Sequence, residues 1–170
     1  MSNLEKIQKG MRVLQILSKI ILIFAIVGVV LASIGATLVA SDVLNMENQF
    51  LNFLSVTAEM SKGQLVGILA ATAISLLSGG ILTAFAYRYF TAELKEGTPF
   101  TNAGADRIKQ LGIIEIAISI ISMSVIDGIY ENIGLAEWNR FDDAGSITLG
   151  ICLILLSMVV RHYVSCYQEP

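Results

Sequence analysis

Between Lys19 and Asp42 the chain runs through 22 residues without a charge, Ile20 to Ser41, and between Lys62 and Arg88 through 25, Gly63 to Tyr87. At a rise of roughly 1.5 Å per helical residue, each stretch covers the roughly 30 Å hydrocarbon core of a bilayer. A third apolar run, Leu111 to Ile126, is interrupted only by Glu115. The fourth, Ala144 to Val160, has 17 uncharged residues and reaches full length if Arg161 extends its head group to the interface. The pattern predicts an all-α polytopic membrane protein, a four-transmembrane-helix bundle in a single domain over 1–170. Its spans are expected at approximately 14–40, 63–90, 108–127 and 144–164. The first apolar stretch begins near Val13, longer than a signal-peptide core, and Leu38 occupies a position where cleavage after Ala40 wants a small residue. A retained span is therefore expected.

Two further amphipathic helices are predicted outside the spans. Ser2 and Glu5 have capping-box spacing, and Leu4, Ile7, Met11, Leu14 and Leu17 follow at helical intervals with Lys6, Lys9 and Arg12 off that stripe. This short N-terminal helix serves either as a grip on anionic lipid, as a docking helix, or as a plain basic anchor for the first span. In the first outer loop Val43, Met46, Phe50 and Leu54 share a face opposite Asn45, Asn48 and Asn52, a pattern for a helix lying on the leaflet or capping the bundle.

Composition agrees with a bilayer as solvent. Apolar residues make up 55% of the chain and charged ones 15%, well below the roughly one quarter of a soluble domain. Disordered chains are apolar-poor, so disorder is excluded as well. A net charge of −3 gives no reason to expect direct nucleic-acid binding. One His and two Cys, with Cys152 in an apolar run, offer no metal site, cofactor site or disulfide framework.

The placement of charge is more informative than its sum. Of the 11 basic residues, Lys6, Lys9, Arg12 and Lys19 precede the first span, Arg88, Lys95, Arg107 and Lys109 lie between the second and third, and Arg161 follows the fourth. The other two connections hold only Lys62 and Arg140. The positive-inside rule then puts both termini and the middle connection in the cytoplasm. The third outer loop, Asp127 to Asp143, carries five carboxylates against Arg140, with Tyr130, Trp138 and Phe141 among them. It is read either as a surface for a cationic ligand or as a solvated loop that obeys the charge rule; the acidic spacing does not match an EF-hand.

The middle connection is the most structured of the exposed segments. Gly97 is suited to a left-handed helix end, and Thr98-Pro99 to a restart with Thr as cap and Pro in the first turn. The stretch Glu96-Gly97-Thr98-Pro99-Phe100, followed by Asp106-Arg107-Ile108-Lys109-Gln110-Leu111-Gly112, resembles a signature of small four-span bacterial membrane proteins catalogued as a domain of unknown function. Where that family has a Gly after the last span, this chain has Arg161-His162-Tyr163. The resemblance implies residence in a bacterial inner membrane and pairing with a helix-turn-helix regulator, since such regulators are often encoded alongside. It brings no catalytic residues.

Well inside the spans, away from their ends, Glu115 is the one acidic or basic residue, and helical spacing places it on a face with Gly112, Ser119 and Ser122. It is read either as a relay or gate within the bundle or as a carboxylate reaching back to the cytoplasmic surface. Small residues recur every fourth position at Gly28, Ala32 and Ala36, and at Gly67, Ala71, Ser75 and Gly79, which favours close helix approach within the chain or across a homo-oligomer. Phosphate-loop, nucleophile-elbow and zinc-protease motifs are absent, so no enzyme activity is expected.

Two classes of function follow. The first is a regulatory or sensing protein that binds a cytosolic partner, with Pro99, Phe100, Arg107 and Lys109 as contact residues. The second is a small transporter or channel using Glu115, Ser119 and Ser122. An envelope-protection or immunity protein, acting through its outer loops, is a third expectation.

Overall fold

The computed structural model describes residues 3–41, 60–97, 101–138 and 144–168. It is all-helical: α1 (Asn3–Ala40), α2 (Lys62–Glu96), α3 (Asn102–Asn132) and α4 (Ala144–Gln168), with a short 3-10 turn at Ala136–Trp138 before α4. All four helices are long and apolar enough to cross a membrane. The amphipathic helix expected in the first outer loop lies outside the described residues.

Three expectations change at the helix ends. The N-terminal amphipathic segment is not a separate element, because α1 runs unbroken for 38 residues, about 57 Å. No Pro or Gly pair interrupts its hydrogen-bond ladder, and Gly10 alone does not break a helix. At the other side of the fold, α3 continues to Asn132, so Asp127 and Glu131 are helical rather than part of a loop. The restart of α3 is also shifted. Thr101 is its cap, accepting the Gly104 N–H at 2.9 Å, while Thr98 and Pro99 lie outside the described residues. The end of α2 follows expectation: Gly97 has φ 81° and donates its N–H to the Glu93 carbonyl. α2 opens on a reciprocal capping box between Ser61 and Gln64.

The helices pack in chain order, α1 on α2, α2 on α3 and α3 on α4. Among the described residues the closest backbone approaches are between these sequential pairs, and side chains of α2 also reach the α3–α4 layer, where Tyr89 packs against the cluster of Ala105, Ile108, Val160 and Val164. Between helices in lipid there is no hydrophobic gain from closing a core, so neighbours associate by close packing of small residues. Large side chains accordingly face outward, with Phe24, Leu31 and Val159 all more than 60% exposed.

Small residues set each crossing. On α1, Gly28 meets the Leu76 side chain and Ala25 faces Gly80 of α2. The small stripe of α2 does not pair with that of α1 but turns to α3. Gly67 lies under Ile133 and Ile129, and Ala71 is buried with Ile126 and Tyr130. The tightest crossing joins α3 and α4, where a Cβ on Gly112 would fall 2.6 Å from the Gly150 carbonyl oxygen, and one on Gly150 2.8 Å from that of Gly112.

Candidate functional site

The end of the fold that holds the start of α1 and the end of α4 is tied by polar contacts from helix to helix. Gln8 and Gln15 of α1 donate to the Gly97 carbonyl and to Thr91 Oγ1 of α2, each at 2.8 Å. Glu93 and Glu96, one turn apart near the end of α2, share a face that meets α3. Arg107, in the second turn of α3, donates through Nη1 to Glu93 Oε1 at 2.9 Å and through Nη2 to Glu96 Oε1. Asp106, the next residue back, pairs with Arg161 of α4. All four helices are thus linked in series.

Glu93 is the unusual member. Its side chain is 0% exposed, and Oε2 has no hydrogen-bond partner among the described residues. The residue stands beyond the apolar run of α2, which ends at Arg88. Burial pushes its carboxyl above the usual range, and the Arg107 guanidinium opposes that rise without cancelling it. Glu96 is open to solvent, and the hydrogen bond from Arg107 holds its carboxyl below the usual range. Arg107 is raised by both partners and stays charged. Desolvating a carboxylate is costly even when it is paired, so such a pair specifies one arrangement of two helices more than it stabilises them.

A groove opens beside this cluster. Phe85, Arg88, Tyr89 and Ala92 form one stripe of α2 at i, i+3, i+4 and i+7 spacing. Arg107, Gln110, Leu111 and Ile114 form the matching stripe of α3. Between them lies a space of about 330 Å³.

Towards the other end of α2 and α3 there is a second, hydroxyl-lined cavity of about 180 Å³, with Ser75, Ser78, Ser119, Ser122 and Ser146 on its walls and Asp127 at its edge. Ser78 and Ser122 bring their hydroxyls to 2.5 Å of each other across the helix interface; one donates to the other, and the accepting hydroxyl donates to the carbonyl one turn back on its own helix, that of Ile74 for Ser78 or Ile118 for Ser122.

The residues singled out in the sequence separate in three dimensions. Arg107 turns into the α2–α3 interface, whereas Lys109, two positions on, is exposed. Pro99 and Phe100 lie outside the described residues. Ser119 and Ser122 are buried and line the hydroxyl cavity, but Glu115 is only half-buried and does not line it. The shared helical face of Glu115, Gly112, Ser119 and Ser122 is therefore divided: Gly112 packs against α4, Ser122 bonds to Ser78 of α2, and Ser119 lines the hydroxyl cavity.

Sequence reasoning missed the burial of Glu93 and the partner roles of Ser78 and Gly150. The i, i+3 spacing of Glu93 and Glu96 was a usable signal for a shared face towards a later cation. Nothing local distinguished Gly150 from other glycines. Comparison with family models, with curated proteins and with solved structures gives no match to this chain.

Proposed function

We propose that this chain is a multi-pass protein of a bacterial cytoplasmic membrane that regulates or senses by binding a cytosolic partner. Both termini and the connection from Gly97 to Gln110 then face the cytosol, as the distribution of Lys and Arg requires. The observation that carries the reading is the Glu93–Arg107–Glu96 cluster. A fully buried carboxylate with one oxygen unpartnered among the described residues is a poor device for stability and a good one for holding a connection in one of two arrangements. Lys109 is the direct contact residue in this scheme, and Arg107 positions the start of α3 that presents it. The resemblance to small four-span proteins encoded beside a helix-turn-helix regulator suggests the kind of partner.

The test is purification of the full chain in mild detergent, with mass spectrometry of co-purifying proteins, for wild type, Lys109→Glu and Arg107→Gln. A soluble regulator retained by wild type and lost from both variants supports the proposal. Equal recovery from all three overturns it. The hydroxyl cavity favours a second reading, a small transporter, whose path would use Ser119 and Ser122 with Glu115 beside it. Unchanged proteoliposome flux after Ser119→Ala and Glu115→Gln removes that reading.

A further inference from the structure

We infer that the groove between α2 and α3 is a binding site for an anionic phospholipid, with the phosphate at its polar end and an acyl chain along its apolar end. The site is independent of any partner protein. Its lining changes character along its length. Arg88, Arg107 and Gln110 supply donors at one end, and Phe85 and Ile114 supply an apolar wall at the other, with no carboxylate lining it among the described residues. The change falls where both helices pass from polar to apolar sequence, Arg88 closing the apolar run of α2 and Leu111 opening that of α3. A headgroup and its glycerol change polarity at that same depth.

The donor set also selects charge. Arg88 is exposed and forms no ion pair among the described residues, so its guanidinium is available to a phosphate. Arg107 spends one N–H on each of Glu93 and Glu96 and retains further donors from its five. Guanidinium groups match phosphate oxygens in pairs, and basic pockets between helices on the cytoplasmic side are a recurring way to hold anionic headgroups. A zwitterionic headgroup would bring its own cation towards Arg88, so it should bind less well. Water alone, or free phosphate, would use the polar end but gain nothing from Phe85 and Ile114.

The experiment is native mass spectrometry of the full chain released from detergent, titrated with dioleoyl phosphatidylglycerol, dioleoyl phosphatidylcholine, or inorganic phosphate. Wild type should bind phosphatidylglycerol about tenfold more tightly than phosphatidylcholine, the effect of a charge-assisted contact. Arg88→Gln should lose about that factor. Lys95→Gln, an equal loss of charge at an exposed position of the same helix outside the groove, should stay within about twofold. Gln110→Ala is a second groove variant and should weaken binding about threefold, as expected for a neutral hydrogen bond. Equal affinity for the two lipids, or equal losses in Arg88→Gln and Lys95→Gln, overturns the site. Displacement of the lipid by inorganic phosphate at headgroup affinity also overturns it, because the groove would then hold a soluble anion.

Discussion

Arg107→Gln isolates the buried carboxylate. In the wild type Glu93 is 0% exposed and takes a charge-assisted hydrogen bond from Arg107 at 2.9 Å. A bond of this type contributes about 1.5–3 kcal/mol net. Its loss leaves an ionised group in a dry site with no cation in contact. The penalty has an upper limit, since the carboxyl can take a proton instead. From an ordinary value of 4.5, protonation costs roughly 3.4 kcal/mol at pH 7 and roughly 0.7 kcal/mol at pH 5. The variant should therefore be less stable than wild type by about 2–3 kcal/mol at pH 7, shrinking to about 1 kcal/mol at pH 5.

The sign follows from linkage. Burial already raises Glu93, and removing Arg107 removes what opposes the rise. An acid with a folded pKa above its unfolded one favours folding at low pH, and that contribution is lost as pH rises through the folded value. Equilibrium unfolding in mixed micelles of a mild detergent and dodecyl sulfate, at pH 5, 6 and 7, measures this directly. Arg161→Gln is the control: its pair with Asp106 is more than half exposed on both sides, so the change should be small. Adding Glu93→Gln to Arg107→Gln should flatten the pH dependence. A penalty for Arg107→Gln that stays constant over this range would refute the assignment of the cost to Glu93.

Two further predictions concern the helix crossings. Gly112→Ala and Gly150→Ala should each weaken the α3–α4 pairing by about 1–3 kcal/mol, because the new methyl meets a backbone oxygen that cannot turn aside. Gly128→Ala, with nothing within 4 Å of the added carbon, should instead be neutral or stabilising by about 0.5–1 kcal/mol; the same micelle unfolding reads all three, and equal effects would refute the close crossing. Across α2 and α3, a double-mutant cycle of Ser78→Ala with Ser122→Ala should give a coupling of about 0.6 kcal/mol, typical of hydrogen bonds between helices in lipid. A coupling of zero would mean that the two hydroxyls do not meet.

Much of the fold was legible because it depends on near-neighbour chemistry. The uncharged runs at Ile20–Ser41 and Gly63–Tyr87 marked two helices, and Gly97 marked where α2 ends, since a left-handed residue is cheapest as Gly. The restart was expected at Thr98 and is capped by Thr101 instead, since either residue can cap a helix and local sequence does not select between them. The candidate site was half legible. Arg107 stood out by its position in a basic helix, but its direction, inward to Glu93 rather than outward like Lys109, depends on how α3 rotates against α2.

The sequence alone determined that there are four long apolar helices, where the basic residues fall among them, and which side chains are small enough for close approach. These follow from transfer of side chains and backbone between water and lipid, which each segment meets on its own. Only the tertiary structure decided which small residue meets which neighbour. It set Gly112 against Gly150 and turned the α2 stripe to α3 instead of α1. The same rotation buried Glu93 and faced two stripes of mixed polarity across a groove. Helix pairing in lipid is decided by van der Waals fit and a few hydrogen bonds between distant residues, and that fit exists only once the helices are side by side.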